Sequence, residues 1–305
     1  MPKRPLALAL LAGLAACSVT APPAPPPPPA AAPQPELMKW PALLQRPRPE
    51  PDAIVRYGEA ALQIVDVWLP HGPGPHPTVL MIHGGCWQSE VADRRIMNWI
   101  ADDLRKRGIA VWNIDYRGVD RDGGGYPGTF LDTAAAADAL KVHAAEYKLD
   151  LSHLVAVGHS AGGHLALWLA GRRNLPAASP LRAGDPIAIR KVVSLGGLQD
   201  LEEAARPPGS GCGTEVMGQI SGGGKWAETS VPRLAPLHVE QVLVNGLQDR
   251  IIPPPYAEAY AGAMRAKGDK VRVHMVDRTG HVELIAPETA AWAVAVREIR
   301  SGLGL

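Results

Sequence analysis

Leu154-Val-Ala-Val-Gly-His-Ser-Ala-Gly162 is the stretch of sequence that decides the fold. Its first four residues form an apolar run of strand length, and a helix-like pattern begins at Ala161. Gly-x-Ser-x-Gly between a strand and a helix is typical of a tight turn that strains the serine backbone and exposes its hydroxyl. The adjoining helix N-terminus favours developing negative charge. We therefore predict that Ser160 is a nucleophile; the alternative is a capping serine at a glycine-rich helix start.

Apolar runs of strand length alternate with helix-length stretches along most of the chain. Strands are predicted over residues 62–69, 78–82, 109–114, 154–157, 191–195, 242–245 and 271–276. Helices are predicted over residues 92–106, 129–148, 161–171, 256–267 and 287–300. The alternation predicts one α/β domain over residues 51–305, with a mostly parallel sheet covered by helices on both faces. The glycine- and proline-rich segment 200–237 either crosses the carboxyl ends of the strands, where such sheets bind ligands, or is a plain surface loop.

The overall composition excludes some classes of protein. The chain has 305 residues, 46% hydrophobic and 20% charged, as in an ordinary globular protein with a sizeable core. Its 31 Lys and Arg nearly cancel 30 Asp and Glu, which leaves a formal net charge of +1. Because nucleic-acid binding normally needs a basic stripe, we expect no nucleic-acid partner. No group of Cys and His has the spacing of a zinc site, so we expect no metal and no cofactor.

Two later residues could activate the serine. A serine hydroxyl is a weak nucleophile at neutral pH, and it needs a base together with an acid that orients the base. Asp249 follows the predicted strand 242–245, and His281 follows the predicted strand 271–276. We predict that His281 is the base and Asp249 its orienting acid, in the order serine, acid, base. The alternative is that both are ordinary surface polar residues.

The stretch His83-Gly-Gly-Cys-Trp87 follows another predicted strand. Attack on a carbonyl group creates an oxyanion, which preorganised backbone N–H groups must meet. Gly84 and Gly85 are predicted to supply such groups, because only glycine lets the main chain approach a substrate so closely. Ala161, directly after the nucleophile, is predicted to supply another. Trp87 is predicted to pack the loop rather than to contact substrate.

Other polar residues near these motifs receive structural roles. His83 is predicted to shape the glycine loop, and His164 to pack against the sheet. His159, inside the serine turn, is predicted to point away from a base position. Asp115 is predicted to organise its loop by pairing with Arg117.

The first 50 residues have the composition of an export signal and a spacer. Lys3 and Arg4 precede the short apolar run 6–16, which is too brief to span a bilayer. Leu14-Ala-Ala-Cys17 resembles the bacterial lipobox, which implies a signal peptide over 1–17 and a lipid on Cys17. The alternative is an ordinary signal peptide with a chance cysteine. Residues 18–50 are predicted to be a proline-rich spacer, so the resemblance implies an exported protein anchored to a bacterial membrane, on its periplasmic or cell-surface side.

Two further cysteines follow, Cys86 and Cys212. In an exported protein they could form a disulfide between the glycine loop and the segment 200–237. Spacing alone does not decide this, because geometry determines whether two cysteines can be bridged. Cys86 is not predicted to be a nucleophile, because no acid-oriented base is placed for it.

Together these motifs resemble the α/β-hydrolase superfamily, in the branch with His-Gly-Gly-x-Trp. That branch includes hormone-sensitive-lipase-like carboxylesterases and kynurenine-formamidase-like enzymes. The resemblance runs from about residue 53 to the C-terminus and rests on residues 83–87, 115–117, 158–162, 230–236, 246–253 and 280–281. It implies a three-layer α/β-hydrolase fold and a serine hydrolase that cleaves carboxylic esters, of short-chain or acetyl and feruloyl type, through an acyl-enzyme. Cys86 departs from the Tyr, Phe or Gly common at its position, which leaves the substrate open.

Two alternative functions remain open at this point. One is an amide hydrolase of the kynurenine-formamidase type, which would use the same three side chains. The other is a surface binding protein that reuses the fold without catalysis.

Overall fold

The structure is a computed structural model that describes Met1 and residues 36–207 and 211–305. The predicted signal peptide, Cys17 and most of the predicted spacer lie outside the described residues. Within the described ranges, no helix combines the length and apolar character needed to cross a membrane.

The described residues form one eight-stranded sheet in the order β1-β2-β4-β3-β5-β6-β7-β8. Its strands are β1 (Ala53–Arg56), β2 (Ile64–Trp68), β3 (His76–Ile82), β4 (Ala110–Ile114), β5 (Leu149–His159), β6 (Lys191–Leu195), β7 (Glu240–Gly246) and β8 (Val271–Val276). β2 pairs antiparallel with both of its neighbours, β1 and β4, whereas β3 to β8 run parallel to one another. The central strands are buried on both faces, which explains their nearly continuous apolar sequences.

Helices cover both faces of the sheet. They are α1 (Trp40–Leu44), α2 (Asn98–Lys106), α3 (Gly125–His143), α4 (Ala161–Gly171), α5 (Leu201–Ala204), α6 (Thr214–Ser221), α7 (Trp226–Thr229), α8 (Pro254–Ala266) and α9 (Ala290–Leu303). α3, α4 and α8 pack in one apolar layer, and α2 and α9 in the other. Successive residues of β3 alternate between the layers, with Leu80 and Ile82 in the first and Val79 and Met81 in the second. The predicted three-layer α/β fold is confirmed.

Some predicted helix boundaries were wrong. The helix predicted over 92–106 begins as a 3-10 turn, Arg94–Met97, and becomes α-helical only at Asn98. The helix predicted over 129–148 runs from Gly125 to His143, with Tyr126 in an extended conformation inside it. That kink arises because Tyr126 precedes a proline, and the proline ring excludes the helical conformation of the preceding residue.

The predicted domain boundary at residue 51 is too late, because residues 36–50 belong to the folded body. Helix α1 lies in this segment and Leu43 is fully buried. The backbone carbonyl of Pro47 accepts a hydrogen bond of 3.0 Å from the indole of Trp99. Proline at the start of α1 is no obstacle, because its missing N–H has no partner in the first turn of a helix. Residues 36–50 are therefore a packed segment, although their proline-rich composition predicted a spacer.

Candidate active site

Ser160 occupies the turn between β5 and α4 in a strained backbone conformation, with φ 53° and ψ −121°. Its backbone N–H donates to the carbonyl of Leu195 at 2.9 Å, which fixes the turn against β6. The flanking glycines are required by space. A Cβ added at Gly158 would lie 2.1 Å from the carbonyl oxygen of Gly162, and one at Gly162 would lie 2.2 Å from that of Ile82.

Asp249 and His281 meet at the carboxyl ends of β7 and β8. Asp249 Oδ2 lies 2.6 Å from His281 Nδ1, and both side chains are buried. The other oxygen of Asp249 accepts the backbone N–H groups of Ile251 and Ile252 at 2.8 and 2.9 Å. These bonds hold the carboxylate in place. Because the Nδ1–H of His281 donates to Asp249, the lone pair of the neutral imidazole lies on Nε2.

Ser160 and His281 line one cavity of about 210 Å³. Most of its other walls are apolar side chains: Trp40, Leu44, Val91, Ala92, Ile96 and Ile251. Gly85, Cys86 and His159 complete the lining. The structure therefore brings the predicted nucleophile, the predicted base and one predicted oxyanion glycine to a single small, largely apolar space.

The glycine loop after β3 packs directly on the serine turn. A Cβ added at Gly84 would lie 2.9 Å from Ser160 Cβ and 2.9 Å from the carbonyl oxygen of His159, so only glycine fits there. Gly85 adopts φ +105°, a conformation that side chains rarely permit. Ala161 is the first residue of α4, where backbone N–H groups lack helical partners. Gly84 thus packs on Ser160, Ala161 follows it, and Gly85 lines the same cavity.

His83 fixes the glycine loop from below. Its Nε2 lies 2.9 Å from Asp115 Oδ1, and its Nδ1 lies 2.7 Å from the carbonyl oxygen of Gly84. The ring stacks on Tyr116 at 4.3 Å between centroids and 8° between planes. The predicted role of His83 in shaping the loop agrees with these contacts.

The predicted pairing of Asp115 with Arg117 is wrong. Asp115 Oδ2 accepts from Arg94 Nη1 at 3.0 Å. Arg117 pairs with Asp132 on α3, with 2.7 Å between Nε and Oδ2. Asp115 and Arg117 have separate partners although they are two positions apart. After β4 the Asp115 side chain is buried, whereas that of Arg117 is half-exposed.

Trp87 and His164 are structural. Trp87 is fully buried, with its ring 5.5 Å from that of His164 in an edge contact, which confirms its predicted packing role. The Nε2–H of His164 donates to the carbonyl of Thr229 at 2.7 Å and so holds α7 against α4. Burial lowers the pKa of His164 to about 4, so the ring is neutral at pH 7.

The prediction that His159 points away from a base position is wrong. Its Nε2–H donates to the backbone carbonyl of His281 at 3.1 Å, and the two rings lie 4.4 Å apart. Burial, followed by repulsion from His281, lowers the pKa of His159 well below its ordinary value and keeps the ring neutral. His159, the second position of Gly-x-Ser-x-Gly, therefore contacts the predicted base.

Cys86 and Cys212 form a disulfide, with 5.4 Å between their Cα atoms. It joins the glycine loop to the segment 200–237, which carries α5, α6 and α7. A Cβ added at Gly211 would lie 3.1 Å from the carbonyl of Ile251, a residue of the cavity wall. The segment 200–237 therefore reaches the site at the carboxyl ends of the strands.

The described ranges 36–207 and 211–305 contain no cluster of three or more His, Cys, Asp or Glu that could hold a metal. A more open depression of about 600 Å³ is bordered by Ser89, Asp93 and Asp120 among others, and by none of the predicted site residues. The chemistry suggested by the sequence is therefore concentrated at the smaller cavity.

A family model described as BD-FAE matches residues 65–230. The chain belongs to the BD-FAE family. The matched residues include Gly84, Gly85, Ser160 and Ala161, whereas Asp249 and His281 lie beyond them.

This BD-FAE chain is also similar to a probable isoprenylcysteine alpha-carbonyl methylesterase of Oryza sativa subsp. japonica. The two are 25% identical over 250 residues, which cover 75% of this chain. The chain spans 58% of the length of that relative.

Solved structures share the fold at low sequence identity. A truncated carbohydrate esterase from gut microbiota has a TM-score of 0.69 at 19% identity, over 82% of this chain and 95% of its own. Esterase B from Lactobacillus rhamnosis has a TM-score of 0.69 at 19% identity, over 85% and 89%. Thermogutta terrifontis esterase 2, phosphonylated by sarin, has a TM-score of 0.67 at 18% identity, over 87% and 95%. The α/β-hydrolase fold predicted for this BD-FAE chain is confirmed.

Two residues that line the cavity, His159 and Trp40, were not predicted to belong to the site. His159 belongs to the Gly-x-Ser-x-Gly motif, and its place in the site follows from its hydrogen bond to the backbone carbonyl of His281. Trp40 lies in the proline-rich front of the chain, outside the residues matched by the BD-FAE model. A tryptophan among apolar residues was the one signal that this segment packs.

Proposed function

We propose that this chain hydrolyses carboxylic esters through a covalent acyl-enzyme formed on Ser160. The observation that carries the proposal is the 2.6 Å contact between Asp249 and His281 beside the cavity that His281 shares with the strained Ser160. A nucleophile, an oriented base and backbone donors at one small cavity are what acyl transfer requires.

The reaction follows from the placement of these groups. His281 Nε2 takes the hydroxyl proton as Ser160 Oγ bonds to the ester carbonyl carbon. The carbonyl oxygen becomes an oxyanion, which backbone N–H groups of the glycine loop and Ala161 stabilise. The intermediate collapses as His281 returns the proton to the departing alcohol. Water then attacks the acyl-enzyme by the same route and releases the acid and Ser160.

Asp249 orients His281 and stabilises its positive charge during each transfer. His159 must stay neutral for this to work, because a second cation 4.4 Å from the His281 ring would oppose its protonation. The buried position of His159 meets that condition.

Ester rather than amide substrates are favoured by the names of the relatives. The plant relative is called a methylesterase, and the structural neighbours carry the names carbohydrate esterase and esterase. An amide hydrolase would use the same groups, so it is the outcome to exclude by experiment.

The test compares the wild-type chain with Ser160→Ala and with Ser152→Ala, an exposed serine away from the cavity, as control. We expect rapid hydrolysis of p-nitrophenyl acetate by the wild type and the control, slower hydrolysis of N-formylkynurenine, and no hydrolysis by Ser160→Ala. Faster turnover of the formamide would favour the amide hydrolase. Absence of turnover by the wild type would favour a binding protein.

We also propose that Cys17 carries a lipid that anchors the chain to a membrane, which rests on the sequence Leu14-Ala-Ala-Cys17 alone. Metabolic labelling with a radioactive fatty acid should label the wild type and not Cys17→Ser. Equal labelling of both would contradict the anchor.

A further inference from the structure

The segment 36–46 is firmly attached to the body that carries the site. Leu43 is fully buried in the apolar layer of α2 and α9. Arg46 forms an ion pair with Glu288 just before α9. These contacts hold the segment in one position beside the cavity.

The same segment is tied to the turn that carries His281. The carboxylate of Glu283 accepts the backbone N–H of Met38 with one oxygen and that of Gly280 with the other, at 2.9 Å for Gly280. Gly280 directly precedes His281, and a Cβ added there would lie 3.4 Å from Leu37. The segment therefore contacts the turn that carries His281 through the Glu283 carboxylate and beside Gly280.

Trp40 places its ring against the two histidines of the site. The edge contacts measure 6.3 Å to His159 and 6.5 Å to His281 between ring centroids, with interplanar angles of 72° and 73°. Trp40 and Leu44 together supply one apolar wall of the 210 Å³ cavity. Leu44 is 42% exposed, which puts it at the cavity mouth.

The cavity, at about 210 Å³, is smaller than the pockets of about 300–1,000 Å³ that hold drug-sized ligands. The acyl group stays bonded to Ser160 after the alcohol leaves, while water must enter from the open side. A fixed apolar wall therefore acts on the acyl group in both halves of the reaction. Because segment 36–46 lies outside residues 65–230, this wall is an addition to the part matched by the family.

We infer that Trp40 is a specificity-determining residue that limits the acyl group to short, uncharged chains. The inference rests on the proposed ester hydrolysis. Removing the indole opens the cavity toward Leu44 and the solvent, so longer chains gain room while the reacting groups keep their positions.

The experiment measures kcat/KM for p-nitrophenyl acetate, butyrate and octanoate with the full chain. Trp40→Ala should raise the ratio of octanoate to acetate kcat/KM about tenfold, the size of discrimination that one or more methylene groups produce in an apolar pocket. Trp40→Phe should keep the wild-type ratio within about threefold. Lys39→Ala changes an exposed neighbour that does not border the cavity, and it should leave the ratio unchanged.

An unchanged ratio in a folded Trp40→Ala would overturn the inference. A second series of acetate esters varies the alcohol instead of the acyl group, and an effect of Trp40→Ala that is confined to this series would also overturn it. If Trp40→Ala fails to fold, Leu44→Ala gives the same readout at an exposed position, and the ratio should again rise. Wild-type protein that hydrolyses none of the three esters would instead contradict the proposed function.

Discussion

The Nε2–H of His159 donates to the backbone carbonyl of His281 at 3.1 Å, so the residue before the nucleophile holds the residue proposed as its base. The two rings lie 4.4 Å apart, and Trp40 touches both. The turn that carries Ser160 and the loop that carries His281 are thereby fixed to each other by a neutral side chain rather than by an ion pair.

Replacement of His159 should slow the reaction without much effect on substrate binding. His159→Leu removes the donor to the His281 carbonyl, and we expect kcat to fall about tenfold with KM within about twofold, because geometry rather than binding is disturbed. His159→Gln retains a donor and should recover most of kcat. Equal losses in both variants, or a loss confined to KM, would contradict the positioning role.

Loss of the Asp249 carboxylate should be far more costly. Asp249→Asn offers an amide to His281 Nδ1 and favours the wrong tautomer, so kcat should fall about 10³–10⁴-fold with KM nearly unchanged. The control is Asp185→Asn, an exposed residue paired with Lys141, which should retain wild-type rates. A fall of less than tenfold in Asp249→Asn would mean that another group orients the base.

Reduction of the Cys86–Cys212 disulfide should lower both stability and rate. Cys86 and Trp87 have φ of 52° and 55°, a strained conformation that the bond helps to hold next to Gly85. Since the disulfide joins residues 126 positions apart, its removal should cost about 5 kcal/mol of unfolding free energy. We expect kcat to fall several-fold under a mild reductant and to return on reoxidation.

The double variant Cys86→Ser/Cys212→Ser should match the reduced wild type and should not respond to the reductant. Urea unfolding gives the stability and steady-state hydrolysis gives the rate. If reduction changed neither quantity, the disulfide would have no part in holding the loop.

Stability should fall as the pH falls, because of buried His164. Its pKa is about 4 in the folded protein against an ordinary value of 6.5, so the unfolded chain binds the extra proton first. Above pH 6.5 the ring is neutral in both the folded and the unfolded state, so it does not oppose folding. As the pH falls from 6.5 to 4 the unfolded chain gains the proton while the folded protein does not, and the free energy of unfolding decreases by up to about 3 kcal/mol.

Urea unfolding of wild type, His164→Gln and His153→Gln at several pH values between 7 and 4 tests this. His164→Gln should flatten the decline, whereas His153→Gln, an exposed histidine, should follow the wild type. Parallel curves for all three proteins would exclude His164 as a source of the pH dependence.

Local patterns in the sequence predicted the features that depend on local structure. The turn at Ser160 needs glycines at fixed positions, and Asp249 and His281 could be paired because the carboxyl ends of parallel strands meet at one edge. The partner of Asp115 could not be predicted, because Arg94 reaches it from a 3-10 turn that was predicted as helix.

The contribution of segment 36–46 was also outside the reach of sequence patterns. Met38 and Glu283 are 245 positions apart, and the contact between them depends on how the whole chain folds around the sheet. Proline-rich composition indicated a spacer, although a helix of five residues with one buried leucine is enough to attach the segment.

The central claim is that Ser160 forms a covalent bond with the substrate, and labelling with diethyl p-nitrophenyl phosphate tests it most directly. Intact-mass and peptide mass spectrometry should find one diethylphosphoryl group, on the peptide that contains Ser160, with hydrolysis of p-nitrophenyl acetate lost in proportion. Ser160→Ala should acquire no label. Label on another residue, or full activity in labelled protein, would contradict the account.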